Sequence, residues 1–437
     1  MQWQRWLRPT IALAVLALAV ALTLFLTLNV WHSGDGDVLE YQSYAQSFWW
    51  REPRFQTLPR EYPPLALLPF SVTLLAGNGD PQLIFGVCVG ALFLLGYLAF
   101  LGFSSRGRGL WYAAYLLVGA QGILLARYDL VPALLTLGAL WATQRRRFTW
   151  AYALLTLGAL LKLYPIVLVP VVLTEQAWAL YLDMPLDMPL ANGMGGTGRI
   201  SIAQAWRGIV WPLARTFLPW LGLLVAGIML PMLYSQEGLA ALTYVNARPI
   251  QVESFPATLL WLRMLSGVPM SVSNTFGSDN WDGGGALAGM LATLSPFALA
   301  MGCLIVYWHL AWRRIPVGKA FIACICVVLV TSKVFSTQYL IWVLPLMAEV
   351  EGGSIVWVLI CLLTFVDYPL IYPFNQPGYT PQWEHGFMLV VALRNTLLVY
   401  VILRAMAGSR AGAAKWRLPS KSRPSTAMPP TTGNSRI

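Results

Sequence analysis

Carboxylates concentrate in the polar stretch that follows the first long apolar segment. Residues 31–65 hold five of the eighteen acidic residues of the 437-residue chain. They are Asp35, Asp37, Glu40, Glu52 and Glu61, and Trp49, Trp50 and Phe55 lie among them. A carboxylate at a membrane face can act on a substrate that aromatic rings hold in place. The alternative is a solvated connector with tryptophan anchors at the lipid–water boundary, and this stretch alone favours neither interpretation.

Polar and charged residues also interrupt apolar runs at several later places. The interruptions are Arg127-Tyr128-Asp129, Lys162-Leu163-Tyr164-Pro165, residues 248–254, residues 333–339 and the 367–385 loop. A charge at mid-membrane costs roughly 2.5–3.5 kcal/mol on insertion scales, so such residues usually line a cavity or form a site. The other interpretation is that each side chain lies at a helix end and extends to the interface. Five groups on one face favour a site.

The composition indicates a membrane protein. Hydrophobic residues make up 57% of the chain and charged residues 11%, against about 25% charge in a soluble domain. In such a chain the net charge of +11 reports orientation more than nucleic-acid binding. The five cysteines lie in apolar segments without metal-binding spacing, and the three histidines form no zinc motif. We expect the cysteines to pack between helices.

The apolar segments predict an all-α, polytopic membrane protein. The first, 11–30, is long enough to span and is interpreted as a signal anchor, because no small-residue cleavage site follows it. The later segments are 64–77, 82–103, 109–126, 130–143, 149–173, 209–234, 286–312, 319–335, 339–350, 353–373 and 386–406. Lys162 and two prolines should break segment 149–173 into two halves. Segment 256–268 is short, so we expect it only to enter the membrane.

Basic residues set the expected orientation. They cluster at Arg5 and Arg8, Arg106 and Arg108, Arg145–Arg147, Arg199 and Arg207, Arg313 to Lys319, and from Arg404 onward. All six clusters are cytoplasmic if one piece within 64–103, of which 64–77 is the shortest, does not cross. About twelve crossings of the cell membrane result, with re-entrant pieces and a cytoplasmic C-terminus. The acidic loop 31–63 and the interrupting groups then lie outside.

Two polar segments complete the organisation of the chain. Residues 174–208 contain a glycine-rich stretch that predicts a flexible cytoplasmic loop, and no Lys-Ser/Thr pair marks it as a phosphate-binding loop. Residues 407–437 form a basic tail rich in Pro and Ser, for which we expect disorder and contact with anionic lipid. Residues 1–406 are expected to form one transmembrane domain.

Five stretches together resemble a known family. Asp37 with Tyr41 and Ala45, followed by Glu-Tyr-Pro-Pro-Leu at 61–65, resembles the first outer loop of glycosyltransferase family 87. These bacterial integral-membrane enzymes have the GT-C fold and use polyprenyl-phosphate-mannose. The later stretches are Arg127-Tyr128-Asp129, residues 158–165, residues 248–254 and residues 335–339, which run into Trp342 and Pro345. Each motif is weak alone, and their order over residues 30–345 carries the resemblance.

The resemblance implies a GT-C-like fold and a glycosyltransferase. It implies inverting transfer of a hexose, foremost mannose, from a polyprenyl-phosphate donor to an extracytoplasmic lipid or polysaccharide acceptor. The catalytic acid of the first outer loop matches Asp37, which would act as the general base on the acceptor hydroxyl. Asp35 is its competitor, and the spacing to Tyr41 favours Asp37. Mannose, arabinose and glucose are not distinguished by the sequence.

Further residues are expected to bind the donor or the acceptor. The leaving phosphate needs cations or hydrogen-bond donors, which Lys162, Arg248, Lys333 and Gln338 offer. We expect Arg127 and Asp129 to pair and to order the cavity floor, while Glu253 either binds sugar or pairs with Arg248. The remaining residues of the expected site are Tyr41, Tyr62, Tyr164, Gln251 and Tyr339.

Two other functions stay open, and so does the question of whether the protein binds a divalent cation. A multi-pass transporter or lipid flippase would use a charged central path, although such folds often show internal repeats that this sequence lacks. A transferase relative without activity could serve as a scaffold. No cofactor is expected, because a lipid-phosphate donor needs no nucleotide-diphosphate clamp, although the Asp35-Gly36-Asp37 spacing leaves divalent-cation binding open.

Overall fold

The computed structural model describes residues 37–55, 57–183, 206–235, 244, 247–268, 271–282, 284–312, 315–372 and 381–407. Several predicted features lie outside these residues. They are the apolar segment 11–30, Asp35, residues 184–205 of the glycine-rich loop, and the tail from 408 to 437.

The first half of the described chain is helical. Its α-helices are α1 (Asp37–Trp49), α2 (Leu67–Ser71), α3 (Pro81–Phe103), α4 (Arg106–Gly119), α5 (Leu130–Gln144), α6 (Phe148–Leu161) and α7 (Val169–Leu182). Short 3₁₀ turns cover Pro64–Ala66, Val72–Ala76, Leu124–Ala126 and Tyr164–Leu168. The start of α3 follows capping rules: Asp80 accepts the backbone N–H of Gln82 at 2.8 Å, directly before Pro81.

The second half adds longer helices and one hairpin. Its α-helices are α8 (Trp211–Tyr234), α9 (Phe255–Leu265), α10 (Gly285–Ala311), α11 (Val317–Thr331), α12 (Leu344–Val350), α13 (Ile355–Phe365) and α14 (Pro381–Met406). A 3₁₀ turn covers Thr337–Trp342, and π-helical turns cover Trp206–Val210 and Val366–Ile371. Strands β1 (Ser271–Thr275) and β2 (Ser278–Asp282) pair antiparallel.

Five segments of the described chain are long and apolar enough to cross a membrane. They are Pro81–Phe103, Tyr164–Leu182, Trp206–Pro231, Gly285–Ala311 and His385–Met406. Large apolar side chains such as Leu94, Leu223 and Leu304 are exposed on three of these helices, as expected for surfaces that face lipid. The chain is therefore helical and of membrane type, as the composition predicted. The number of twelve crossings stays a prediction.

The predicted break at Lys162 is confirmed. Helix α6 ends at Leu161, and Lys162 has extended backbone angles of φ −157° and ψ 127°. A 3₁₀ turn with Pro165 in its first turn then leads into α7. Segment 256–268 is also short, since α9 has 11 residues. Segment 64–77 forms three short helical turns and not one long helix.

Two features of the fold differ from the expectations. The polar stretch 31–63 is not a loop throughout, because α1 occupies Asp37–Trp49, where Val38, Tyr41 and Ala45 form a buried face at helical spacing. An all-α fold also omitted the β1–β2 hairpin. Its turn residues Phe276 and Gly277 have φ of 56° and 67°, the positive values that a two-residue hairpin turn requires.

Basic residues of several helices meet at one end of the bundle, here called the basic end. Arg145 donates to the carbonyl of Phe103 at 2.9 Å, and Arg146 pairs with Asp183 at 3.0 Å. Arg108 pairs with Glu349 at 2.8 Å, and Arg404 pairs with Glu351. These contacts join seven helices at the basic end, namely α3 to α7, α12 and α14. Asp129 and Lys162 lie at the opposite ends of α5 and α6.

Candidate functional site

Asp37 and Arg127 form an ion pair at the opening of the candidate site. Asp37 is the first residue of α1, and Arg127 follows the Leu124–Ala126 turn in extended conformation. Their side chains are 25% and 22% exposed, respectively. Burial lowers the pKa of Arg127, and the nearby charge of Asp129 opposes that shift. The carboxylate that the sequence singled out is therefore accessible and is held by a cation.

Asp129 and Lys162 form the buried floor of the site. Lys162 Nζ donates to Asp129 Oδ1 at 2.6 Å, and Trp342 Nε1 donates to the same oxygen at 2.5 Å. The pairing of Asp129 with Arg127 that the sequence predicts is wrong, because Arg127 pairs with Asp37. The extended Lys162 lies after the end of α6, close to the start of α5, so its ammonium reaches Asp129 while Arg127 reaches Asp37.

Four aromatic rings surround the Lys162 ammonium. The ring centroids of Tyr62, Tyr128, Tyr339 and Trp342 lie 5.7, 5.1, 5.2 and 5.2 Å from Nζ. Aromatic faces attract a cation by their quadrupole. Burial lowers the pKa of Lys162, and the Asp129 carboxylate opposes that shift. Lys162 is thus enclosed and already paired, which makes it a floor residue in this structure.

Stacked aromatic rings continue the walls of the site. Tyr41 is fully buried, stacks on Phe70 at 4.2 Å and meets Tyr62 and Tyr128 edge-on. Trp342 stacks on Tyr164 and on Tyr339, each at 4.3 Å. Tyr41 and Tyr164 therefore belong to the packed wall, whereas Tyr339 is only partly buried.

The segments around 250 and 335 bring the second group of predicted residues together. Gln251 N donates to the carbonyl of Lys333 at 3.0 Å. Burial lowers the pKa of Lys333, and the nearby charge of Arg248 lowers it further, so two cations lie close together here. Arg248 donates to Ser278 Oγ of β2 at 2.5 Å. The hairpin that the sequence did not reveal therefore positions a predicted site cation.

Glu253 is buried and connects these two segments. Its Oε1 accepts the backbone N–H of Thr337 at 3.0 Å, and its Oε2 accepts Gln251 Nε2 at 2.9 Å. Burial and then the charge of Asp367 raise the pKa of Glu253 to about 8. Of the two roles expected for Glu253, pairing with Arg248 is not found, because Arg248 donates to Ser278. Gln338 follows Thr337 and is 8% exposed.

The segment from Lys333 to Trp342 joins both groups of residues into one site. Trp342 lies on Asp129, while Thr337 lies on Glu253. The charges of Asp129 and Glu253 both act on Arg127. The described residues that the sequence predicted for a site therefore converge, although they come from distant parts of the chain. Asp35, the competitor of Asp37, lies outside the described residues.

Helix lengths place this site below the end of the neighbouring helix α3. Helix α3 has 23 residues, α5 has 15 and α6 has 14. At 1.5 Å per residue, α5 and α6 are roughly 12–14 Å shorter than α3. The three helices are level at the basic end, where Arg145 contacts Phe103. Asp129 and Lys162, at the opposite ends of α5 and α6, consequently lie below the level of the Pro81 end of α3, and the region above them is here called the recess.

An apolar groove of about 250 Å³ lies beside the recess, between α6, α7 and α8. Its walls include Thr156, Ile166, Leu173, Phe217 and Leu221. Ile166 is four residues beyond Lys162 in the chain, so the groove begins close to the floor of the site. Ile166 and Leu221 are exposed on the bundle surface, which opens the groove sideways.

Sequence reasoning named the 367–385 loop but not Asp367 itself, and it missed Arg394 and Asn395. Asp367 and Arg394 form an ion pair in which both side chains are 0% exposed. The available signal was a charge within an apolar run, since Arg394 interrupts segment 386–406 and Asp367 interrupts 353–373. Among the described residues, no three His, Cys, Asp or Glu side chains are grouped to hold a metal ion.

Neither a protein-family model nor a curated protein sequence matches this chain. The functional conclusion therefore depends on the site itself. Its arrangement combines an accessible carboxylate, cations, a buried ion pair below and an apolar groove beside it. Such a set can bind an anionic lipid and can take a proton from a hydroxyl group.

Proposed function

We propose that the protein is a membrane glycosyltransferase. It takes a hexose, foremost mannose, from a polyprenyl-phosphate donor and attaches it to an extracytoplasmic lipid or polysaccharide acceptor. The observation that carries the proposal is the accessible Asp37 carboxylate, paired with Arg127 above the buried Asp129–Lys162 floor. The resemblance to family 87 glycosyltransferases at these same residues supports it.

The charge distribution supports an extracytoplasmic site. Arg108, Arg145, Arg146 and Arg404 lie at the basic end, and short loops rich in Lys and Arg face the cytoplasm in most membrane proteins. The recess at the opposite end then opens to the outside. About twelve crossings, with the 64–76 turns re-entrant, accommodate this orientation.

The reaction uses Asp37 as general base. The acceptor hydroxyl oxygen attacks the anomeric carbon of the sugar, and Asp37 takes the hydroxyl proton as the new C–O bond forms. The bond between the anomeric carbon and the phosphate oxygen breaks on the opposite face, and the phosphate leaves with the electron pair. Attack from the face opposite the leaving group inverts the anomeric centre.

The cations at the opening hold the lipid phosphate. Arg248 and Lys333 lie close together, and Arg127 lies across the site on Asp37. Guanidinium groups bind phosphate through paired, charge-assisted hydrogen bonds. A bound phosphate competes with Asp37 for Arg127. Donor binding therefore weakens the ion pair and leaves the Asp37 carboxylate to take a proton.

The apolar groove supports a lipid donor. Its walls are apolar, it opens toward the bilayer, and it begins near Lys162 at the bottom of the recess. A polyprenyl chain lying in it would place its phosphate at the recess. A soluble sugar nucleotide would gain nothing from such a groove.

The test is sugar transfer by the Asp37→Asn variant. Asn keeps the shape of Asp but cannot take a proton, and loss of a general base costs about 10²–10⁴-fold in rate. We expect Asp37→Asn to insert and to bind polyprenyl-phosphate-mannose, yet to transfer the sugar at least about a hundredfold more slowly.

The control is Asp35→Asn, for which we expect a milder effect. Radiolabelled donor in membranes with matched expression gives the measurement. Equal turnover of Asp37→Asn and the wild type would remove the catalytic assignment. Movement of the intact sugar lipid across the bilayer, without any transfer, would favour a flippase instead.

A further inference from the structure

The most deeply buried charges outside the reaction scheme are Asp367 and Arg394. Asp367 lies in the Val366–Ile371 turn and Arg394 in the middle of α14. Both side chains are 0% exposed. A buried ion pair adds little stability over apolar residues of similar volume, because desolvation offsets the attraction. The pair therefore calls for a role besides holding α14 in place.

The guanidinium of Arg394 makes contacts in several directions. One amino group pairs with Asp367, and the other donates to the backbone carbonyl of Glu253 at 2.8 Å. Arg394 Nε donates to Asn395 Oδ1 at 3.3 Å, and Asn395 Nδ2 donates to the same Glu253 carbonyl at 3.1 Å. The Phe335 ring lies 4.5 Å from the guanidinium carbon. Two neighbouring residues of one helix thus hold one carbonyl.

That carbonyl belongs to the turn which positions the site. The Glu253 side chain holds Thr337 N–H and the Gln251 amide, and the backbone of Gln251 holds the carbonyl of Lys333. A shift of Glu253 would consequently move both the 248–254 and the 333–342 segments. These two segments carry Arg248, Lys333 and the Trp342 contact to Asp129.

We infer that Arg394, supported by Asp367 and Asn395, is a positioning residue that holds the Glu253 turn and, through it, the cationic side of the site. The inference depends on the proposed glycosyl transfer. Besides Asp367 and Asn395, Arg394 contacts Glu253 and Phe335, which lie in the two site segments. An apolar pair could hold the helices equally well. The ligand class positioned in this way is the lipid phosphate.

The charges around Glu253 supply a test of whether Asp367 and Arg394 act on the Glu253 turn. Asp367 raises the pKa of Glu253, whereas Arg394 lowers it, and burial makes the largest contribution. Among the described residues, other charged or titratable groups that interact with Glu253 include Arg127, Tyr368 and Tyr372. Removing the anion and removing the cation should therefore shift the titration of Glu253 in opposite directions.

The first measurement is the pH at which thermal stability falls in purified full-length protein in lipid nanodiscs. Asp367→Asn should lower this midpoint and Arg394→Gln should raise it, each by about one pH unit. Equal midpoints in both variants and the wild type would overturn the inference. If Arg394→Gln does not fold, Asp367→Asn and the second measurement decide.

The second measurement is steady-state transfer by Asn395→Leu. This variant removes one donor to the Glu253 carbonyl and leaves the Arg394 ion pair intact. We expect kcat/KM for polyprenyl-phosphate-mannose to fall about tenfold, mostly through KM, with a melting temperature close to that of the wild type. Asn395→Gln, which keeps an amide donor, should recover part of the loss. Glu349→Gln, which breaks the Arg108 pair at the basic end, is the control and should leave KM unchanged.

The outcomes separate the two proposals. Normal KM in Asn395→Leu, in an enzyme whose wild type transfers sugar, would overturn the positioning role alone. A wild type that transfers no sugar, although the pH midpoints shift as expected, would overturn the proposed function and the positioning role with it.

Discussion

Lys162→Met provides a quantitative test of the buried floor. The substitution leaves Asp129, which is 0% exposed, with Trp342 Nε1 as the remaining hydrogen-bond donor among its contacts described above. Breaking a buried ion pair by removing one partner costs about 3–5 kcal/mol, because a buried charge is left uncompensated. We therefore expect Lys162→Met to lower the free energy of unfolding by about this amount.

The compensating variant separates this cost from a role in phosphate binding. Asp129→Asn in the Lys162→Met background removes the uncompensated charge, and Asn still accepts the Trp342 hydrogen bond. We expect the double variant to recover most of the lost stability, so the two effects are strongly non-additive. Donor affinity measured in the stable double variant then reports any contribution of Lys162 to the phosphate site.

The assay is equilibrium unfolding in mixed micelles titrated with a denaturing detergent, followed by tryptophan fluorescence. A loss below about 1 kcal/mol for Lys162→Met would show that the pair is not desolvated as the structure implies. A double variant as unstable as the sum of the single variants would refute the pairing of these two side chains. Thr136→Val, which alters a nearby buried hydroxyl without changing charge, is the packing control.

Three further outcomes are expected. Cysteine labelling from outside sealed cells should mark position 43, on the exposed side of α1, and should spare position 146 at the basic end; labelling at 146 would reverse the orientation. Lys333→Met should weaken binding of polyprenyl-phosphate-mannose about tenfold without unfolding the protein, and unchanged binding would place the phosphate elsewhere. The folded-state pKa of Glu253, about 8 against an ordinary 4.5, means that the folded protein binds more protons between these values. The contribution of this group to the free energy of unfolding is therefore fully present below pH 4.5. It is lost as the pH rises through 8, and the free energy of unfolding falls by at most about 5 kcal/mol. Glu253→Gln should flatten this dependence, and an unchanged slope would contradict the burial of the carboxyl group.

The sequence was sufficient for the type of protein and for singling out most of the residues that the structure brings together. Long apolar runs leave few structures other than membrane helices, because backbone groups in lipid must be bonded within the segment. A charge within such a run costs free energy on insertion into the membrane. This cost alone singled out Arg127, Asp129, Lys162 and Lys333. The break at Lys162 was also predictable, since Pro165 cannot continue a helix.

The pairing of these residues was decided by the tertiary structure. Arg127 and Asp129 are neighbours in sequence, yet they belong to different ion pairs because the turn before α5 directs their side chains apart. Glu253 lies 84 residues from Thr337 and 141 residues from Arg394 in the chain, yet it is hydrogen-bonded to both. Hydropathy reports how buried a residue is, but not which distant group meets it. Only the packing of α14 against the 253 turn determines that a charge in α14 meets a turn that lies more than a hundred residues earlier in the chain.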